Sequence, residues 1–412
     1  MRWFACLLLC AAAAAQNARR AVVVVSLDGL PAGMLEDPRL PMPTLRRLMR
    51  EGAAVKRVRV SNPSVTWPSH TTLITGVWPA GHGVLYNGML IEGRVQPWRP
   101  QPEMVRARTV YDAAHAAGLT TAQVDWVAIY QAPGITWAFP EVPDPKGPIE
   151  REMTAAGLVS EADLADFPKG NILWRDRIWT AAAAHILRRH RPDLLLYHLL
   201  SMDSTHHRHG PGTVAGLAVA AFCDDRLREV LDAVRETGRP TSVLVISDHG
   251  FKAVRRNIRA SVAVGSKAQV IPEGGAAMVY LRDPAQREEV KGALAAIEGV
   301  ARVYEESEFG PLGMPTRAQN SQAPHLIAAA RPGYAFAGGT EGPPVVEVPT
   351  GGSHGYLSSD PEMDAMLVAW GDGVRPGAEM ASAEAIDVAP TIGGLLGVRF
   401  EAAGRVLKPL LR

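Results

Sequence analysis

The chain is short of cysteine, of net charge and of long hydrophobic runs, and each shortage excludes a class of protein. Only three cysteines occur in 412 residues, Cys6, Cys10 and Cys223. The first two fall in an N-terminal segment of leader character, so the rest of the chain keeps Cys223 alone and forms no internal disulfide. Nor can cysteines hold a metal here, and any metal site must use histidines and carboxylates. Lysine and arginine number 43 against 42 acids, a formal net charge of +1. No basic field points to specific nucleic-acid binding or to a membrane surface. The one strongly apolar run at the N-terminus, roughly a dozen residues, is too short to span a bilayer comfortably. There is no internal repeat and no tract with the composition of a disordered tail.

What is present is ordinary globular material, 47% hydrophobic and 21% charged, enough for one large domain with insertions. The first residues, "MRWFACLLLCAAAAAQNARR", have a basic start, an apolar middle and a small-residue end. That grammar predicts a signal peptide over 1–16 and export, to a periplasm or outside the cell. Leu9 before Cys10 is larger than lipidation usually tolerates, which argues against a lipid anchor. Residues 17–412 then read as a single domain.

Three segments read as buried parallel strands: "AVVVVSLDG" from Ala21, "PDLLLYHLLSMD" from Pro192 and "TSVLVISDHG" from Thr241. Each is continuously apolar rather than alternating, which suits a sheet covered on both faces. Helical patterns lie between them, "MPTLRRLMREGA", "RDRIWTAAAAHILRRH" and "AFCDDRLREVLDAVRETG". "TVYDAAHAAGLTTAQVDW" adds a helix–turn–strand unit, and "MDAMLVAWGDG" and "AIDVAPTIGGLLGV" a late strand and a closing helix. Strand and helix alternate, which predicts an α/β, doubly wound fold with a mostly parallel central sheet and helices on both faces. Two irregular stretches, about 127–170 and 255–350, read as cap-like insertions beside a cleft.

Ligands in such sheets bind beyond the carboxyl ends of the strands. The apolar runs lead there into Asp28, Asp203 and the pair Asp248–His249. A carboxylate beside buried strands is costly unless something offsets its desolvation, and a cation does so. His207 follows Asp203 by four residues, and His354 stands between glycines in "GGSHGY". Any one of these reads equally well as a turn residue, a helix cap or a structural histidine. Their recurrence at several strand ends favours two divalent ions with mixed N/O ligation, zinc first among them. Two such ions about 4 Å apart clamp the attacking and leaving oxygens of a phosphoryl transfer.

"VTWPSHTTLITG" opens a helix with Pro68 near its first turn, where proline is tolerated. Thr66 there has two readings. It is either a simple N-cap or a nucleophile whose hydroxyl is activated by a metal, beside helix N–H donors suited to phosphate.

Taken in order, "SLDGL", "NPSVTWPSHTTLITGVWPAGHGVLYNGM", "MDSTHHRHGP", "SDHGF" and "GGSHGY" resemble the type I phosphodiesterase/nucleotide pyrophosphatase family of the alkaline phosphatase superfamily. The resemblance covers residues 26–356. It implies an alkaline phosphatase-like fold and two zinc ions, one held by Asp203, His207 and His354, the other by Asp28, Asp248, His249 and Thr66. It further implies a phospho-threonine intermediate, with Asn87 and the Trp67 backbone N–H as donors to a phosphate oxygen. The Trp67 ring then either stacks on the base of a leaving nucleotide or belongs to the core. The implied partner is a small phosphodiester or nucleotide. Ser69 and His206 depart from residues usual in relatives, and so does "LSSD" after "HGY"; none removes a ligand.

Two rivals stand beside this reading, one from another enzyme class and one from the same superfamily. Gly351–Gly355 fits the G-x-S-x-G pattern of a serine hydrolase, but no histidine follows His354 to complete a triad. Monoesterases and phosphonate hydrolases of the same superfamily share much of this ligand pattern, which leaves substrate preference open between them and a diesterase.

Overall fold

A computed structural model describes residues 19–96 and 104–412, so the expected leader lies outside the described residues. The apolar runs form the centre. Strands β1 (Ala21–Leu27), β7 (Leu194–Leu199) and β8 (Thr241–Ile246) are buried at every position. β1 lies between the other two, parallel to both, with Val24 opposite Leu196 on one side and Leu244 on the other.

Successive strand side chains point to opposite faces, so a strand buried on both sides needs apolar residues at every position. Val22, Val24, Leu194, Leu196 and Leu244 face one core layer, closed by Leu73, Val110 and Ile392 from helices Thr66–Thr75, Val110–Ala116 and Val388–Leu396. Val23, Val25, Leu195, Tyr197 and Val243 face the other, closed by Leu45, Trp179 and Leu231 from helices Pro43–Glu51, Ile172–His190 and Val214–Thr237.

Five further strands complete this sheet: β2 (Ala53–Arg59), β5 (Thr121–Val124), β6 (Trp137–Phe139), β16 (Ala365–Gly371) and β17 (Ala378–Glu384). The order is β17-β2-β16-β8-β1-β7-β5-β6. Only β16 runs against its neighbours, so the other strands share one carboxyl edge. β6 comes from the Pro-rich stretch about 127–170, which thus contributes a strand to the central sheet.

The stretch about 255–350 builds most of two smaller sheets. One has the order β10-β11-β13-β12, from β10 (Ala268–Glu273), β11 (Ala276–Leu281), β12 (Val300–Glu305) and β13 (Leu326–Ala330). The other is β14-β9-β15, from β9 (Lys252–Ile258), β14 (Gly333–Phe336) and β15 (Val345–Ser353). A hairpin of β3 (Met89–Ile91) and β4 (Arg94–Gln96) follows the Thr66 region. No helix among the described residues is long and apolar enough to cross a membrane.

Candidate metal centre and nucleophile

β1 delivers Asp28 and β8 delivers Asp248 and His249 to the carboxyl edge of the sheet. Asp203 arrives differently from the expectation. β7 stops at Leu199, and Asp203 lies in the first turn of a separate helix, Ser201–His209. That helix places His207 one turn on from Asp203, with Nε2 3.4 Å from Asp203 Oδ1. Its start is held by Asp176, whose carboxylate accepts from the N–H groups of Leu200 (3.2 Å) and Ser201 (2.9 Å).

β15 brings in His354. Its glycines matter for close packing: a Cβ on Gly351 would stand 2.5 Å from the His207 carbonyl, and one on Gly352 2.6 Å from that of His206. The serine between Gly352 and His354 is no nucleophile elbow. Ser353 ends a strand, is buried, and donates its hydroxyl to the His354 carbonyl.

The acids and imidazoles meet. His249 Nε2 is 3.1 Å from Asp248 Oδ2 and 3.4 Å from Asp28 Oδ1. His354 Nε2 is 3.5 Å from Asp203 Oδ1, and its ring stacks on His249 with centroids 3.9 Å apart. Asp28–Asp248–His249 and Asp203–His249–His354 each keep their ligand atoms within 4.8 Å of one another. One pattern recurs in all three imidazoles. His207, His249 and His354 each place Nδ1 against a backbone carbonyl, those of Gly352, Gly250 and Ser64. Nδ1 therefore donates to the carbonyl and Nε2 is the atom turned toward the acids, which is the orientation a metal ligand requires.

The electrostatics point the same way. Burial, then the charge of Asp203, pushes the Asp28 carboxyl up to about 6. Burial and Asp28 hold Asp248 well above the usual carboxylate range. Burial also holds His249 well below the usual imidazole value and brings His354 down to about 4, so both rings are neutral. Asp28 Oδ1, Asp203 Oδ1 and Asp248 Oδ2 are buried without a hydrogen-bond donor. Buried carboxylate oxygens of that kind are costly unless a cation faces them. The donor set fits divalent ions with nitrogen and oxygen ligands, zinc among them.

Thr66 is the first residue of its helix, and the N-cap is Val65, with no side-chain cap. Its hydroxyl is thus not spent on capping; it lies 3.5 Å from His249 Nε2. Asn87 accepts the Trp67 N–H on Oδ1 at 2.8 Å, which fixes its amide and turns Nδ2 away from that bond. The Trp67 ring is 1% exposed and packs with Val84, Met104 and Val127, the core position of the two open in the sequence. A cavity of about 860 Å³ opens over the centre, lined among others by Thr66, Asn87, Asp203, His354, Glu141 and Arg175.

Sequence reasoning missed His198, and with it Asp125. His198 Nε2 is 2.8 Å from Asp28 Oδ2, and Nδ1 lies 3.0 Å from the Asp125 carbonyl and 3.2 Å from its carboxylate. Burial alone would lower the His198 pKa, but the hydrogen bonds and charges of Asp125 and Asp28 hold it well above the usual value. His198 lies in β7, inside "LLLYHLL", where it reads as one polar interruption of a strand. It orients Asp28 from behind. His198→Ala is therefore expected to weaken divalent-metal affinity about 10- to 100-fold, measured by competition with a chromophoric chelator. Unchanged affinity would show that Asp28 needs no such support.

The doubly wound sheet with acids and histidines at its carboxyl edge defines an alkaline phosphatase-like α/β protein. The chain belongs to the type I phosphodiesterase/nucleotide pyrophosphatase family, whose profile matches residues 22–357. It is 22% identical over 248 residues to the venom phosphodiesterase of Macrovipera lebetinus, covering 57% of this chain and 26% of that protein. It is likewise 22% identical to ectonucleotide pyrophosphatase/phosphodiesterase family member 3 of Rattus norvegicus, covering 56% of this chain and 25% of the relative. The chain thus spans about a quarter of the length of these curated relatives. Murine ectonucleotide pyrophosphatase/phosphodiesterase 5 shares the fold, with a TM-score of 0.77 at 18% identity, over 95% of this chain and all of that one. An inactive threonine-to-alanine variant of that murine protein has been solved in complex with AMP.

Proposed function

We propose that this protein is a metal-dependent hydrolase of phosphodiester or nucleotide pyrophosphate bonds that works through a covalent threonine intermediate. The observation that carries the reading is the set of buried, donorless carboxylate oxygens facing anchored imidazoles, with the Thr66 hydroxyl at their rim. Asp203, His207 and His354 would hold one ion, and Asp28, Asp248, His249 and Thr66 the other. Such ions, zinc first among them, supply positive charge that lowers the hydroxyl pKa of Thr66 and offsets the charge of the phosphate.

The rest is the work of the chain. Thr66 Oγ1 releases its proton to solvent and forms a bond to phosphorus as the bond to the leaving oxygen breaks, and the leaving group takes up a proton from solvent. Water then cleaves the threonine ester, releases the phosphate product and restores the hydroxyl. Asn87 Nδ2 donates to a nonbridging oxygen, where charge grows in the transition state. The Trp67 N–H is engaged by Asn87 Oδ1, so it orients Asn87 rather than serving as a second donor to the phosphate. The open cavity accommodates a nucleotide-sized group, in keeping with the AMP held by the murine relative. The leader-like N-terminus makes an exported enzyme part of the proposal.

The test is a comparison of p-nitrophenyl esters. Purified protein with zinc should hydrolyse the phosphodiester well above the matching monoester, and a chelator should stop both. A preference for the monoester would move the enzyme to the phosphatase reading, and no turnover of either would overturn the proposal.

A further inference from the structure

A second group of metal-type ligands lies away from the sheet's carboxyl edge, where helix Pro148–Ala155 meets helix Ile172–His190. Glu152 Oε2 stands 3.0 Å from His185 Nε2 and 2.8 Å from His190 Nε2. The three ligand atoms lie within 4.8 Å of one another. The two imidazoles are 11% exposed and the glutamate 29%. None of the three lines the cavity over the strand ends. The His190 ring is held in place by stacking on Trp137, with centroids 3.8 Å apart and planes 25° from parallel. His190 is also the last residue of its helix, where unsatisfied carbonyls favour a cation.

We propose that Glu152, His185 and His190 form a structural site for one divalent ion of the zinc type, separate from the catalytic pair. Two imidazole nitrogens and one carboxylate oxygen are a common zinc set, with water in the fourth place. With ligand bonds of about 2.0–2.1 Å, tetrahedral ligands stand about 3.3 Å apart. The two carboxylate-to-imidazole spacings, 3.0 and 2.8 Å, therefore need to open by only a few tenths of an ångström. Each ring binds as neutral imidazole with its proton on Nδ1, and any excess proton is released to solvent. Arg189, with Nε 3.6 Å from Glu152 Oε2, also pairs with this carboxylate. It is 66% exposed, so it swings into water when the ion enters. The bound ion would tie a short helix of the Pro-rich stretch to the long helix under the central sheet.

The experiment counts metal. The full chain is loaded with zinc, dialysed and assayed by elemental mass spectrometry, beside His190→Ala and the shape-preserving Glu152→Gln. Wild type is expected to hold one equivalent more than either variant, while diester turnover is unchanged. Cobalt in place of zinc should give the visible absorption of a four-coordinate N/O site, with a component lost in His190→Ala. Equal zinc counts in all three proteins would overturn the proposal. Should both variants fail to fold, a zinc titration of wild type that finds no equivalent beyond those displaced by a phosphate-site inhibitor would do so as well. The count is a difference, so it stands or falls independently of the catalytic reading.

Discussion

Thr66→Ala is expected to lower phosphodiester turnover by about 10⁴-fold or more, the order of loss that follows removal of a covalent nucleophile. That corresponds to about 5.5 kcal/mol of transition-state stabilisation. The structure explains why the loss should be clean. The Thr66 hydroxyl caps nothing, because Val65 holds the N-cap position. It is half-buried at the cavity wall, so its deletion empties no core. The histidine anchors to Gly352, Gly250 and Ser64 do not involve it. Asp28, Asp248 and His249 remain to hold the ion that Thr66 shares, so metal content and thermal unfolding should stay near wild type while kcat/KM collapses. Thr66→Ser, which keeps a hydroxyl on the same Cβ, should retain measurable turnover. Turnover in the alanine variant close to that of wild type would remove Thr66 from the chemistry, whatever the metals do.

Stripping the divalent ions with a chelator should have an effect of similar size. Without a cation, the three donorless carboxylate oxygens of Asp28, Asp203 and Asp248 face one another in a buried setting. Binding at a thousandfold excess over Kd contributes about 4 kcal/mol to the folded state. Its loss should lower Tm by roughly 5 °C in a domain of this size. Turnover should fall by about 10³-fold or more, because the hydroxyl pKa and the phosphate charge lose their main electrostatic support. Both effects should reverse on adding zinc. Full turnover in protein verified to be free of metal would sink the two-ion site. A drop in turnover with no change in Tm would mean that the acids are supported by something other than the ions.

The sheet's centre was legible because it obeys the simplest rule available. A strand covered on both faces must be apolar throughout, and β1, β7 and β8 are. The helices that cover it show their apolar faces at helical spacing. The edges were not legible. β2, second from one edge, reads "AAVKRVR", with exposed charges interrupting its apolar residues, and the edge strand β17 reads "AEMASAE", which has almost no apolar signal. β6 has three residues in a Pro-rich stretch. Such strands are specified by pairing with a formed sheet, not by their own composition.

The site divides along the same line. Its acids and histidines could be named from the sequence: the acids follow apolar runs, His249 adjoins Asp248, His207 follows Asp203 at helical spacing and His354 sits among glycines. That Asp203 leaves the strand for a helix, so that His207 follows it by one turn, depends on Asp176 reaching from a neighbouring helix to hold that helix start. The supporting pair His198–Asp125 and the cluster Glu152–His185–His190 were invisible for the same reason. Their partners stand 73 and 33 or more residues apart in the chain. By itself the sequence determined which residue types are available for metal and phosphate chemistry, because composition and local pattern are carried by the chain. Only the tertiary structure decided which nitrogen of each imidazole is free, which acid lacks a donor and which hydroxyl faces the cavity. Those properties depend on backbone carbonyls and helix ends supplied by distant elements, and the chain brings these together only on folding.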